Sequence, residues 1–371
     1  MKLEELYYVF HEIAANPREQ MNRYIAEGKK IVLTAPVYTP NEIIHSMGLV
    51  PMGVWGANIT VTESKRYFPA FICSIMQSIL ELGIKGKYAG ASALVIPLLC
   101  DSLKCLGENW KYAVPDIRYV PMSYPQNRRT KAGIRYSEAG YLRIIRDLEQ
   151  ITGAQFEEAR LKESIHRYNR HNQLMREFAA LAADCKVTAT QRNDIFKSAF
   201  FLTVEEHTEM METLNALLRT KKAESTGKRV LISGILGDAE DLLKTIDDSN
   251  LWVVWDDLAN QTRQYCTDTP ETYEKPLHCL AQKFARMGNC SLLYDPYKER
   301  ISQLIEEAQT VHADGIIFLM TKFCDPEEFD FALLNKACYE AGIHTVVIEV
   351  DRQMTNYGQA NTMIHAFCEM L

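Results

Sequence analysis

The chain has 371 residues, which is enough for two to three domains of the usual ~100–200 residues each. Hydrophobic residues make up 47% and charged residues 24%, an ordinary balance for a globular protein. The net charge of −7 argues against nucleic acid as the main partner, because phosphate binding requires concentrated Lys and Arg.

The N-terminal segment, MKLEELYYVFHEIAANPREQ, has the pattern of an amphipathic helix rich in charge. It lacks the uninterrupted apolar region of a secretory signal, and no run approaches the ~18 apolar residues of a membrane span. We therefore expect a cytoplasmic protein without a membrane partner. Its 10 cysteines should then be reduced rather than disulfide-bonded, and most should be small buried hydrophobes.

Short apolar runs alternate with helical patterns at both ends of the chain. In the first 150 residues the predicted strands are 29–34, 93–97 and 117–120. In the last part they are 228–234, 251–257, 290–295, 315–320 and 344–351. The runs are continuous rather than alternating, which is typical of parallel strands covered on both faces by crossover helices.

The region between these two groups of strands has no strand signal. Its apolar residues recur at helical spacing, with charges on the opposite face. The sequence thus predicts an α/β fold of two doubly wound, mainly parallel-sheet domains joined by a helical segment. The predicted boundaries are 1–150, 151–225 and 226–371.

A weak internal repeat supports this division. GKKIVLT, beginning at Gly28, is similar to GKRVLIS, beginning at Gly227, and each copy is followed by a Val-Trp pair. The pairs are Val54–Trp55 and 254–255. The nearly equal offsets indicate a duplicated unit.

Two predicted strands end in a thiol. ALVIPLLCDSLK places Cys100 just after the strand at 93–97, and GIIFLMTKFCDPEEFD places Cys324 after the strand at 315–320. Ligands of open α/β sheets bind outside the carboxyl ends of the strands, so both thiols reach one crevice if the two units face each other. Cys73, in RYFPAFICSIMQSILELGIKG, is a third candidate near the first turn of an amphipathic helix.

The residues after Cys324 predict a helix start. CDPEEF places Asp325 at the N-cap, Pro326 at the first helical position and Glu328 at the third. A helix N-terminus carries roughly +0.5 of an elementary charge. This charge favours the thiolate form of a nearby cysteine, which is the form that binds iron or zinc.

The cysteine spacing does not fit structural zinc. Such sites usually contain CxxC pairs, whereas the closest pair here is Cys100 and Cys105. Three scattered thiolates fit a [4Fe–4S] cluster that has one iron not bound by cysteine. From spacing alone, three buried structural cysteines are the simpler interpretation, because free cysteine is among the most buried residue types.

Two polar residues early in the chain are candidate proton-transfer groups. Glu42 could act as a base near the crevice, but Thr39, Pro40 and Glu42 form a pattern typical of a capping box. His45 could carry protons; a lone helical histidine is more simply read as packed or exposed. No catalytic side chain is predicted.

Nucleotide motifs are weak or missing. Asp256 lies at a strand end, and its sequence separation from Gly237 is about that of the acid that binds ribose in dinucleotide-binding folds. The segment SGILGDAED, however, lacks the G-x-G-x-x-G pattern of such folds. Arg263 follows the same strand and is read as a surface residue, with a thioester or phosphate contact as the alternative. No Walker motif occurs, so the chain is not itself an ATP-driven protein of that type. A nucleophilic-cysteine hydrolase is left open by the residue types alone.

Three motifs, FPAFICSIMQS, VIPLLCDSLKCLGENWK and FLMTKFCDPEEFD, together resemble the 2-hydroxyacyl-CoA dehydratases, and more narrowly the smaller (β) subunit of their heterodimeric component. PVYTPNEIIHSMGLVPMGVWG, residues 36–56, also resembles that family's N-terminal signature. The resemblance implies a [4Fe–4S] cluster bound by three cysteines, and the matching residues are Cys73, Cys100 and Cys324. Cys105 is the second choice at the position of Cys100.

The resemblance also implies the reaction. Water would be removed from an (R)-2-hydroxyacyl-CoA to give an (E)-2-enoyl-CoA, through a ketyl radical, in an oxygen-sensitive enzyme of anaerobic amino-acid fermentation. A separate ATP-dependent iron–sulfur activator would supply one electron. The α subunit would hold most of the substrate, while this chain would hold a second cluster. The alternatives are a subunit of a benzoyl-CoA-type reductase and a non-catalytic electron-relay subunit.

Overall fold

The fold is described here from a computed structural model that covers residues 2–221, 227–272 and 274–371. Eight strands in these residues form two four-stranded sheets in which every pairing is parallel. The first sheet has the order β2-β1-β3-β4: β1 (Ile31–Thr34), β2 (Val50–Gly53), β3 (Ala91–Pro97) and β4 (Arg118–Met122). The second has the order β6-β5-β7-β8: β5 (Lys228–Gly234), β6 (Leu251–Leu258), β7 (Gly315–Thr321) and β8 (His344–Val350).

Helices connect and cover these strands. Those before and within the first sheet, together with the long helix that follows it, are α1 (Leu3–Ala15), α2 (Pro17–Ala26), α3 (Asn41–Ser46), α4 (Ser74–Ile84), α5 (Asp101–Ala113) and α6 (Lys131–Thr152). Those between the sheets are α7 (Glu158–Ala182), α8 (Ala189–Ser198) and α9 (Val204–Arg219). Those of the second sheet are α10 (Glu240–Asp248), α11 (Pro276–Arg286), α12 (Glu299–Thr310), α13 (Asp325–Glu340) and α14 (Gly358–Met370). The predicted α/β class with two parallel sheets is confirmed.

The strands are apolar throughout because both faces of each sheet are covered. In β1, Ile31 and Leu33 pack into one hydrophobic cluster, while Val32 packs into another on the opposite face. All three side chains are almost fully buried, and each burial contributes roughly 1.5–3 kcal/mol to stability. This explains the continuous pattern in the sequence.

The two sheets share one topology. The similar segments that begin at Gly28 and Gly227 lead into β1 and β5, which occupy equivalent positions in the two strand orders. In each sheet the order reverses between two central strands, β1 and β3 in the first and β5 and β7 in the second. These are the switch points at which open α/β sheets bind ligands.

Two strand predictions are wrong. The segment 290–295 forms turns, not a strand, because it lies in the connection between α11 and α12 rather than under a crossover helix. The strand β2 was not predicted, since it has only four residues and contains Pro51, which cannot donate a backbone hydrogen bond. The predicted domain boundaries stay a prediction; the two sheets lie within 1–150 and 226–371.

The helices α7, α8 and α9 form a separate layer with the N-terminal helix. Leu6 and Phe10 of α1 pack in one cluster with Phe178 and Phe196. Within the described part of the chain, no helix is both long enough and apolar enough to cross a bilayer.

One buried arginine joins the two α/β units. Arg352, just after β8, donates to the carbonyl of Trp55 at 3.0 Å and to Asn58 Oδ1 at 3.2 Å. It also donates to Asp238 Oδ2 at 2.9 Å. Its backbone N–H donates to Ser74 Oγ at 3.1 Å. The start of α4 is therefore tied to the second sheet.

Candidate functional site

The loops at the two switch points face each other across one cavity of about 430 Å³. Val37 follows β1 and Cys100 follows β3, while Ile235 follows β5 and Cys324 follows β7; all four line the cavity. Cys73 lines it as well. The structure therefore brings the three predicted cysteines together, two from the first α/β unit and one from the second.

Each of these cysteines is the N-cap of a helix. Cys73 precedes α4, Cys100 precedes α5 and Cys324 precedes α13. Three helix N-termini, each with a partial positive charge, therefore point at one cavity. The helix α13 begins one residue earlier than predicted, since Cys324 rather than Asp325 is its N-cap and Pro326 lies in its first turn.

Burial raises the pKa of all three thiols. It raises the pKa of the Cys73 thiol to about 12, although the N–H groups of Ile75 and Met76 oppose this. Burial also raises the pKa of Cys100, and it raises that of Cys324 well above its usual value. At Cys324 a backbone N–H group of the helix start favours the thiolate, as predicted, but desolvation outweighs it in the metal-free chain. A metal would have to displace the thiol protons on binding.

The donor set fits an iron–sulfur cluster. Among the described residues, no group of three or more His, Cys, Asp or Glu side chains is placed to hold a single metal ion. Cysteine thiolates are the ligands of iron–sulfur clusters, and three thiols line this cavity. Cys105 lies farther along α5, where its sulfur accepts from Asn109 Nδ2 at 3.4 Å. It is not among the described residues that line the cavity.

Three of the eight non-glycine residues with positive φ in the described part of the chain line this cavity. Val37, Lys298 and Phe323 all have positive φ angles, of 58°, 52° and 61°. Val37 and Lys298 line the cavity, as does Phe323, which directly precedes Cys324. Positive φ is costly for side chains that carry a Cβ, typically about 1–3 kcal/mol, and it persists where the surroundings enforce it. Such strain is often found at functional sites.

Comparison with known proteins decides the family. Residues 36–371 match the family model described as 2-hydroxyglutaryl-CoA dehydratase, D-component. The chain belongs to this family. The resemblance predicted from the cysteine motifs, and with it the class of hydro-lyase subunits, is therefore confirmed at the level of the family.

Three relatives of this D-component family align with nearly all of the chain. The (R)-phenyllactyl-CoA dehydratase beta subunit of Clostridium sporogenes is 42% identical, with 99% of each chain covered. The lactoyl-CoA dehydratase subunit beta of Anaerotignum propionicum is 36% identical, with 100% of each chain covered. The (R)-2-hydroxyglutaryl-CoA dehydratase subunit beta of Acidaminococcus fermentans is 34% identical, again with 100% of each chain covered. Their names as beta subunits imply pairing with an alpha subunit.

The other candidate residues of this D-component chain lie outside the cysteine cavity. Glu42 is buried and accepts from Lys283 Nζ at 2.7 Å, and the helix α3 has no side-chain cap, so the predicted capping box is wrong. This pair lines a separate cavity of about 100 Å³ that is rich in tyrosine. His45 is packed between Ser164 Oγ at 2.8 Å and Glu205 Oε1 at 2.9 Å.

Asp256 and Arg263, which the sequence left as weak candidates, form buried ion pairs. Asp256 is buried and accepts a short hydrogen bond from Arg192. Arg263 is buried rather than exposed, because it donates to Asp257 Oδ1 at 2.9 Å. The prediction of a surface arginine is wrong. The partner of Arg263 is Asp257, which is also buried and which no sequence motif identified.

Sequence reasoning missed a buried ionic group beside Cys324. Glu327, in the first turn of α13, accepts from Arg300 Nη2 at 2.7 Å and from Ser291 Oγ at 2.6 Å. Burial by itself would raise the pKa of Glu327, but Arg300 and Arg263 outweigh burial and hold the pKa below its usual value. In the sequence, the acids of CDPEEF indicated only the start of a helix and gave no sign of the ion pair between Glu327 and Arg300.

Exposed apolar side chains lie in and close in sequence to the residues that line the cavity. Phe329 lines the cavity and is 77% exposed, while Phe71, two residues before Cys73, is 72% exposed. Leu333, one turn beyond Phe329 on α13, is 44% exposed. Exposed apolar groups around a concave site are typical of a surface that another chain covers.

Proposed function

We propose that the chain is the β subunit of a cytoplasmic, oxygen-sensitive (R)-2-hydroxyacyl-CoA dehydratase in which Cys73, Cys100 and Cys324 bind a [4Fe–4S] cluster. The observation that carries the proposal is the meeting of three helix N-caps, all of them cysteines, at one cavity between two switch points. Kinship with beta subunits of three such dehydratases supports the reaction. When bound, the cluster supplies one-electron transfer.

The reaction gives a reason for one-electron chemistry. The hydroxyl to be lost is on the carbon next to the thioester, and the hydrogen to be removed is on the β-carbon, where it is almost non-acidic. Addition of one electron makes a ketyl radical anion that expels hydroxide, after which the β-hydrogen is acidic enough for a modest base. The product radical anion then returns the electron, so the overall loss of water is redox-neutral and the electron can be reused. We propose that an ATP-dependent iron–sulfur activator supplies this electron and that the α subunit holds most of the substrate.

The residues of this chain supply the charge that stabilises the thiolates, an apolar lining that excludes water and a surface for the partner subunit. Three helix N-termini stabilise the negative charge that three thiolates bring into the cavity. Trp55, Met76 and Leu103 form part of an apolar lining that limits access of water. The exposed Phe329, which lines the cavity, supports docking of the α subunit over this face.

The test measures iron and acid-labile sulfide in the anaerobically purified complex of this chain with its α subunit. One [4Fe–4S] cluster contributes about four iron atoms per chain. We expect Cys324→Ala and Cys100→Ala each to lower the iron content of the complex by about four atoms, with circular dichroism unchanged. Cys105→Ala, the matched control on the same helix as the Cys100 site, should retain full iron. Iron content that is indifferent to Cys324 would falsify the proposal.

A further inference from the structure

A buried group of charges lies behind the wall of the cysteine cavity. Its centre is Arg300, in the first turn of α12, which is 3% exposed. Arg300 Nη2 donates to Asp257 Oδ2 at 2.9 Å and to Glu327 Oε1 at 2.7 Å. Its Nη1 lies 3.4 Å from Asp330 Oδ2, and its Nη2 donates to Ser233 Oγ at 3.2 Å.

The three acids bound by Arg300 come from two separate parts of the chain. Asp257 lies near the end of β6, and Glu327 and Asp330 lie in the first two turns of α13. All three are buried. Two more cations complete the group: Arg263, which donates to Asp257, and Lys298, whose Nζ lies 2.6 Å from Asp330 Oδ1. Three cations therefore face three anions.

The group extends to the surface of the cysteine cavity. Lys298, Asp330 and Ser291 line this cavity, and Ser291 Oγ donates to Glu327. Glu327 lies in the same helical turn as Cys324, and its backbone N–H donates to the Cys324 carbonyl oxygen at 3.0 Å. Arg300 thus holds the helical turn whose N-cap is Cys324.

We propose that Arg300 and Glu327 are positioning residues that fix the first turn of α13 and set the electrostatic potential on the Cys324 side of the cavity. This rests on the proposed function, because its target is a cluster bound by Cys324. Buried fixed charges act strongly at short range, since little water screens them. Reduction adds one negative charge, so a nearby anion opposes it and a nearby cation favours it.

The direction in which the cluster's midpoint potential shifts tests the proposal, because a merely structural role would not give shifts of opposite sign for the loss of opposite charges. In the holo complex, Glu327→Gln removes a negative charge and should make the midpoint potential of this chain's cluster more positive than in wild type. Arg300→Gln removes a positive charge and should make that potential more negative. The measurement is a redox titration followed by electron paramagnetic resonance, with iron content checked for each variant.

Two further variants serve as controls. Arg300→Lys keeps the charge and should leave the potential close to the wild-type value. Glu42→Gln removes a carboxylate that is just as buried but lines the tyrosine-rich cavity, and should also leave the potential unchanged. If Arg300→Gln does not fold, Asp330→Asn provides a second removal of negative charge and should shift the potential in the same direction as Glu327→Gln.

The outcomes separate this inference from the proposed function. Opposite shifts for Glu327→Gln and Arg300→Gln, or positive shifts for both Glu327→Gln and Asp330→Asn, support the charge-setting role. A cluster whose midpoint potential is the same in wild type and in the Glu327 and Asp330 variants overturns the inference alone. A wild-type chain that binds no cluster overturns the proposed function, and the inference with it.

Discussion

At the scale of single residues, burial controls the titration of groups far from the cysteines. Glu307 lines a cavity of about 280 Å³ next to Asp257. Burial, and secondarily the charge of Asp257, raises its pKa to about 7. The folded chain therefore binds a proton at Glu307 that the unfolded chain has already lost between about pH 4.5 and 7. Stability consequently falls as the pH rises through this range.

Glu307→Gln should remove this pH-dependent loss. We expect the variant to raise the free energy of unfolding by about 1–2 kcal/mol at pH 8, with no gain at pH 4.5, where wild-type Glu307 is mostly neutral. Urea unfolding at the two pH values measures the difference. Glu306→Gln, on the exposed side of the same helix, is the control. Its change in the free energy of unfolding should be the same at the two pH values. A gain from Glu307→Gln that does not change with pH would contradict the assignment.

At the scale of secondary-structure elements, one glycine fixes how β5 leads into the cysteine cavity. Gly234 ends β5, just before Ile235, which lines the cavity. Its φ is 154°, and a Cβ at this position would lie 2.4 Å from the carbonyl oxygen of Leu319 in β7. A side chain there would push apart the two central strands of the second sheet.

Gly234→Ala should therefore destabilise the fold by about 2–4 kcal/mol, through backbone strain and a contact with backbone that cannot move away. Gly342→Ala is the matched control: its φ of 72° is also positive, but a Cβ there meets no atom within 4 Å. We expect it to cost about 1 kcal/mol. The comparison of urea midpoints for the two variants checks the prediction. Equal costs would mean that the contact with Leu319 is relieved by a small shift.

Most strands and the crevice shared by Cys100 and Cys324 could be predicted from the sequence, whereas short segments and long-range ion pairs could not. Continuous apolar runs identified seven of the eight strands, and the position of Cys100 and Cys324 at strand ends indicated one shared crevice. The missed β2 and the wrong strand at 290–295 are both short segments, where an apolar run depends on its surroundings for its structure. The pair Arg300–Asp257 could not be predicted, because its residues lie in different elements and no local pattern connects them.

At the scale of the whole molecule, the two α/β units share a hydrophobic cluster and are also joined by buried polar contacts. Arg352 lies 2.7 Å from Asp238 in the second unit and binds Trp55 and Asn58 in the first. Removal of one member of a buried ion pair leaves the other charge without compensation. This contact therefore couples the units.

Arg352→Met should lower the free energy of unfolding by about 3–5 kcal/mol. It should also separate the unfolding of the two units, as seen by tryptophan fluorescence in single-tryptophan variants that retain Trp110 in the first unit or Trp252 in the second. The double variant Arg352→Met/Asp238→Asn removes both charges and should recover part of the loss. Coincident transitions at the two tryptophans in Arg352→Met would show that the coupling lies in other contacts.

The distribution of the three cysteines along the chain has a consequence for biosynthesis. Cys73 and Cys100 leave the ribosome well before Cys324. The cofactor proposed for all three could therefore be inserted only after Cys324 has been synthesised and the second α/β unit has docked on the first. Chains that stop before Cys324, or whose units have not docked, would offer two of these ligands at most, so insertion of the cofactor would itself select docked molecules.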